Sequence, residues 1–120
     1  MQQSPFTEEK VELCVLNWLA NSGYHLIRRN WQHCQDNVDI IATRANRLHF
    51  IGITTKKYPD TGLSCQGMTR KKILSILQAS QQYLKCNPQW KEAVVDVLTV
   101  TLIREEPADC VLTRNIQMTY

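Results

Sequence analysis

The segment AVVDVLTVTLI, residues 93–103, constrains the fold more than any other stretch of the chain. It is apolar at almost every position, without the alternation of a strand that is wet on one face, so it reads as a long strand central in a sheet. Before it, Ile73, Leu74, Ile76, Leu77, Ser80, Tyr83 and Leu84 mark one face of a helix that Thr69 can cap and that ends before Asn87 and Pro88. A strand reached through such a helix is long enough connected to run parallel to the strand preceding the helix, with a right-handed crossover.

The rest of the chain supplies the neighbours of that strand. Ser4 and Pro5 offer the cap and first turn of an opening helix, in which Val11, Cys14, Val15, Trp18 and Leu19 recur at helical spacing until Gly23. From Tyr24 the texture changes. YHLIRRNW, CQDNVDIIAT and RLHFIGITT read as three consecutive strands, the last two a hairpin around the turn Arg44-Ala45-Asn46. KKYPDTGLSCQGM holds Pro59, Gly62 and Gly67 and no apolar period, so it reads as an exposed loop. After the turn EEPAD, CVLTRNI adds a short final strand at an edge. The expected order is therefore α-β-β-β-α-β-β, a mixed sheet flanked by helices in one domain spanning residues 1–120, with no repeats or linkers to support a second.

Composition excludes several classes. Hydrophobic residues make up 43% and charged residues 21%, near the globular average, which argues against a disordered, fibrous or membrane-spanning chain. The opening MQQSPFTEEK carries acids where a secretory signal would carry Arg or Lys before an apolar run, so a cytoplasmic address is expected. Cys14, Cys34, Cys65, Cys86 and Cys110 are odd in number, widely spread and without a Cys-x-x-Cys pair, so they read as reduced thiols, not a zinc site or a disulfide framework. The net charge of +3 permits a polyanionic partner without demanding one.

GYHLIRRNW resembles the GY-x-IL-x-RNW segment of the YraN-like family, small bacterial proteins of the PD-(D/E)XK, restriction-endonuclease-like superfamily that includes Holliday-junction resolvases. NVDIIA, similar to the family's GEIDLIA, follows at the matching distance, and LHFIGITTKK falls where the family has LVFVEVKTR. The helix pattern from Lys72 to Tyr83 and Leu84 resembles K-x-x-RL-x-x-AA-x-x-YL, and VVDVLTV resembles FDVV-x-V. The likeness runs from Glu12 to about Val100 in a constant order.

That resemblance implies a restriction-endonuclease-like fold and a Mg²⁺-dependent site for phosphodiester hydrolysis, in which carboxylates hold the ion and a cation or base attends the attacking water. The superfamily draws these from an Asp on the second strand and Glu-x-Lys on the third, whose alternate side chains share a face. A first-helix Glu completes the set in the YraN-like family. Here the first-helix Glu is matched by Glu12 and the second-strand Asp by Asp39. The Glu two before that Asp is replaced by Asn37, the third-strand Glu by Gly52 and the third-strand Lys by Thr54. Asp39 is left as the main metal candidate, and a hard divalent ion that wants several oxygens would be held weakly.

Two rescues are open: Lys56, two residues past Thr54, as a displaced lysine, and Asp36 as a stand-in carboxylate. Neither restores the oxygen that Gly52 lacks. Plain alternatives stand beside these. Asp39 can be a strand acid paired with an Arg, Glu12 an ordinary charge suited to the first half of its helix, and Gly52 the mark of a bulge or close backbone approach. His25, His33 and His49 show no metal-ligand spacing.

Basic residues suggest a partner. Lys56 and Lys57 sit at the mouth of the loop, and Arg70, Lys71 and Lys72 open the second helix, where like charge at the positive helix end is relieved by anions such as a phosphate backbone. Arg28 and Arg29 can extend that surface, and Trp31 can stack on a base or pack in the core. The expected function is a nuclease-fold protein that binds DNA or branched nucleic acid without cutting it. The alternatives are an active Mg-dependent DNA endonuclease with migrated residues and a non-catalytic protein-interaction module. An open sheet edge makes a homodimer conceivable.

Overall fold

The computed structural model describes residues 5–58 and 69–117; the side chains of residues 5–7 and 113–117 lie outside that description, as do Ser4, Cys65 and the loop glycines Gly62 and Gly67. Helix α1 (Pro5–Asn21) is followed by β1 (His25–His33), β2 (Asp36–Arg44), β3 (Arg47–Tyr58), α2 (Arg70–Cys86), β4 (Ala93–Ile103) and β5 (Glu106–Gln117). The strands form one sheet in the spatial order β1-β2-β3-β4-β5. All neighbours are antiparallel except β3 and β4, which run parallel across the α2 crossover.

The two helices cover opposite faces, and this is why β4 carries no polar alternation. Val95 and Ala93 pack with Leu48, Phe50, Ile41 and Val38 under Ile76, Ala79, Tyr83 and Leu84 of α2. Leu98, Val100 and Leu102 pack with Ile51, Ile40 and Ala42 under Val11, Val15 and Leu19 of α1. Every residue from Ala93 to Val100 is buried. The face of α2 is rotated slightly from its sequence pattern: Ala79 is buried, whereas Leu74 is 52% exposed.

Turns follow from residue chemistry. At the end of α1, Gly23 takes φ +87 and Tyr24 N–H donates to Leu19 C=O at 3.0 Å, a left-handed stop that favours glycine. The β2–β3 hairpin closes on two residues, Ala45 and Asn46, both at positive φ, with Arg44 opposite Arg47. Arg104 and Glu105 do the same between β4 and β5, so β5 begins at Glu106, inside the expected turn, and is a long edge strand, not a short one. Lys56, Lys57 and Tyr58, expected in the loop, extend β3, because β4 offers them a continuous parallel partner out to Ile103. That register is unbroken at Gly52, which pairs with Val97, so Gly52 marks no bulge in its own strand. Trp31 lies within β1 and stands edge-on to Tyr83 of α2 at 5.3 Å, a core contact.

One buried polar pair crosses the centre of the sheet. His49 on β3 and Asp96 on β4 meet through Nδ1 and Oδ2 at 2.7 Å, with Tyr24 edge-on to the imidazole at 5.1 Å. His49 is 8% exposed and Asp96 0%, so this imidazole joins strands and faces no substrate.

Candidate functional site

The ladder between β2 and β3 runs from Arg44↔Arg47 to Ile40↔Ile51 and stops there, while β3 continues another seven residues beside β4. Beyond Ile51 the two strands fork. In an extended strand the N–H and C=O of one residue point to the same side, so past the fork β3 presents backbone groups that no β2 residue reaches. At Ile53 both are satisfied by side chains. Its N–H donates to Asp39 Oδ2 at 2.8 Å, and its C=O accepts from Lys72 Nζ at 2.7 Å. Lys72 Nζ and Asp39 Oδ2 are themselves 3.2 Å apart, which closes a three-membered circuit of charge and hydrogen bond across the fork.

The placement of Lys72 follows from the start of its helix. Thr69 takes extended φ and ψ, and its hydroxyl accepts from Lys72 N–H at 3.2 Å, so Lys72 stands in the first turn of α2 with its side chain carried towards β3. On β1, Asn30 has φ +51, and the β1–β2 register skips Asn30 and Asp39 while pairing Arg29 with Ile40 and Trp31 with Val38. The left-handed Asn30 thus interrupts the pairing opposite Asp39 without shifting the register.

Around the fork lies an open cleft of about 730 Å³, lined from both helices and three strands; its charged groups are Glu8, Glu12, Arg29, Asp39 and Lys72, and Thr54 and Thr55 form part of the β3 wall. Glu12 is ion-paired with Arg29. The cleft thus carries three carboxylates against two cations, and Glu12 and Asp39 each have a cation in contact.

The sequence-derived candidates divide accordingly. Glu12, Asp39, Thr54, Arg29 and Lys72 come together in the cleft. Gly52 lies one residue before Ile53 on β3, buried, and Lys56 is exposed further along the strand, outside the cleft lining. Asp36 is turned to α2, where the Gln78 amide reaches it at 3.2 Å. Arg28, Arg70 and Lys71 are exposed outside the lining, and Lys57 pairs with Glu105 at 3.2 Å. The lysine beside Asp39 is Lys72 and not Lys56. Strand periodicity favoured Lys56 because it considers one strand at a time, whereas the fork admits a long side chain from the helix above.

Mg²⁺ does not fit the groups present. It wants several oxygens, while Asp39 Oδ2 already accepts from a backbone N–H and an ammonium. Among the described residues no three His, Cys, Asp or Glu side chains gather closely enough to hold a metal ion.

A mixed five-stranded sheet between two helices in the order α-β-β-β-α-β-β, with an acid at the fork of its second and third strands, defines a restriction-endonuclease-like α/β domain. Within that class the chain belongs to the uncharacterised protein family UPF0102, whose family model matches residues 11–100. A UPF0102 protein of Chlorobium limicola is 34% identical over 73 residues, 61% of this chain and 57% of the relative. One from Dictyoglomus thermophilum is 26% identical over 89 residues, 73% of this chain and 75% of the relative. The match spans about three fifths of the length of two such Chlorobium relatives. None of the helices described is long and apolar enough to cross a membrane.

Proposed function

We propose that this protein is a nuclease-fold module that binds the phosphate backbone of nucleic acid without hydrolysing it. The observation that carries the reading is the circuit at Ile53: the Asp39 carboxylate and Lys72 ammonium are spent on backbone groups and on each other, while Gly52 adds no oxygen beside them. What remains is an open concave cleft with Arg29 and Lys72 in its wall. Arg70 and Lys71 precede Lys72 in the first turn of α2, exposed, where phosphate oxygens are welcome. Because the cleft lining itself is net acidic, attraction to a polyanion comes from these exposed cations together with Lys56 and Arg28, and it is expected to be strongly weakened by salt. Backbone contacts of this kind position a protein without reading bases, so preference is expected for nucleic-acid shape, not sequence. The module would act in the cytoplasm, where nucleic acid and reduced thiols coexist.

A second reading has one observation in its favour: a lysine does stand beside Asp39, delivered by α2 instead of β3. In this reading the protein cuts DNA with Mg²⁺ or Mn²⁺.

One assay separates the readings. Labelled single-stranded, duplex and four-way-junction DNA is titrated with the protein across a salt series, with and without each metal, and both anisotropy and product lengths are recorded. Binding that falls steeply with salt, with no cleavage, supports the proposal. Metal-dependent cleavage abolished in Asp39→Ala establishes the second reading. Absence of binding at about 50 mM salt, where non-specific contacts are strong, overturns both in favour of an interaction module.

A further inference from the structure

Cys14 on α1 and Cys110 on β5 lie 96 positions apart in the chain, yet their sulfurs stand 3.3 Å from each other. Both are half-buried at the margin of the α1-side core, where Cys110 packs beside Leu112 against the cluster of Val11, Val15 and Leu19. Cys34 and Cys86 are exposed instead. Nothing in the spacing of five scattered cysteines marked this pair, because only the closure of the sheet brings its last strand beneath the first helix.

We propose that Cys14 and Cys110 form a dithiol pair that closes to an intramolecular disulfide by exchange with a small-molecule disulfide of the glutathione class. A disulfide needs the sulfurs at about 2.05 Å, so each has to move only ~0.6 Å, within reach of side-chain rotation. Burial and the neighbouring Cys14 push the Cys110 thiol from 9.0 up to about 12, a restraint that eases once the Cys14 sulfur is tied up in a mixed disulfide. The Cys14 thiolate attacks one sulfur of the oxidised tripeptide, whose S–S bond breaks to release one glutathione thiolate. That thiolate takes the Cys110 proton. Cys110 then attacks the Cys14 sulfur of the mixed disulfide and expels the second glutathione thiolate, which takes up the proton that Cys14 gave to solvent. The protein dithiol loses two electrons and two protons, and one glutathione disulfide becomes two glutathione thiols.

The bond would tie α1 to the edge strand β5, next to the existing ion pair between Lys10 and Glu106. Glu12, two residues before Cys14, lines the cleft, so oxidation would anchor the helix that forms one cleft wall. This inference does not depend on the nucleic-acid reading.

The test uses the full chain, equilibrated with oxidised glutathione or with dithiothreitol and then acid-quenched, alkylated and mapped by peptide mass spectrometry. A Cys14–Cys110 cross-link is expected, with a thermal unfolding midpoint about 10 °C above that of the reduced protein. In Cys110→Ser the resolving thiol is gone, and a stable glutathione adduct is expected on Cys14. Exchange that leaves Cys14 and Cys110 as separate thiols or separate adducts in the wild type, or that links either to Cys34, Cys65 or Cys86 in preference, overturns the proposal. The wild-type map decides this even if a serine variant folds poorly.

Discussion

Replacing Asp39 with alanine is expected to destabilise the protein, and the sign of the effect is the informative part. In the wild type the carboxylate accepts from Ile53 N–H at 2.8 Å and stands 3.2 Å from Lys72 Nζ. Alanine removes the backbone acceptor at a point where β2 has already left β3, so no strand takes its place. A hydrogen bond to a charged group contributes about 1.5–3 kcal/mol, and the lower end applies here because the cleft is open to water. The ion pair adds little: the Lys72 side chain is 40% exposed, which reduces its share to a few tenths of a kcal/mol. The sum is about 2 kcal/mol, or a fall of ~6–8 °C in thermal midpoint for a chain of this size. Asp39→Asn keeps an acceptor for Ile53 N–H and is expected to lose less than half as much. Circular dichroism melts of the two variants beside wild type measure both effects. A site built to hold a metal behaves oppositely, since deleting one of several crowded carboxylates relieves repulsion. Glu8, Glu12 and Asp39 share this cleft, so an Asp39→Ala protein as stable as wild type, or more so, would refute the assignment of Asp39 to the backbone circuit.

Four further outcomes are expected. Asp96→Ala strands the buried His49 imidazole and should cost ~3 kcal/mol, read as a shifted urea midpoint, while Glu92→Ala, whose pair with Arg47 is exposed, should cost under ~1 kcal/mol. If nucleic acid is bound as proposed, Lys71→Gln and Arg70→Gln should each lower the slope of log affinity against log salt by about 0.9 with duplex DNA, measured by anisotropy. The thiol of Cys110, raised from 9.0 to about 12, favours the folded state fully below pH 9 and loses that contribution as pH rises towards 12; reduced protein melts should therefore drop across that window in wild type and drop less in Cys110→Ser. At pH 8, iodoacetamide is expected to modify Cys34 and Cys86 well before Cys110, as mass spectrometry of timed samples would show.

Local chemistry and periodicity determined most of the architecture. Near-continuous apolarity from Ala93 to Val100, broken by Asp96 and Thr99, requires cover on both faces of a strand, and the two helical stripes supply it. Thr69 caps α2 and Gly23 stops α1 because one offers a side-chain acceptor and the other tolerates positive φ, properties of single residues. That the third strand carries Gly52 and Thr54, and so no side-chain carboxylate or ammonium at those two positions, was likewise legible, since it needs only the order of residues along one strand. Strand ends were less so. The reach of β3 to Tyr58 and of β5 back to Glu106 depends on hydrogen-bonding partners 45 positions away for β3 and on a two-residue turn whose left-handed residues, Arg104 and Glu105, are neither glycine nor asparagine.

Only the tertiary structure decided which groups meet. A lysine from α2, an aspartate from β2 and the backbone of β3 converge because two strands part at Ile51, and strand divergence is a property of three chain segments at once. The same holds for the two sulfurs brought together from α1 and β5, and for His49 with Asp96. Sequence pattern reports which face each side chain turns to; distances between side chains on different elements arise from packing, to which every element contributes and which none encodes alone.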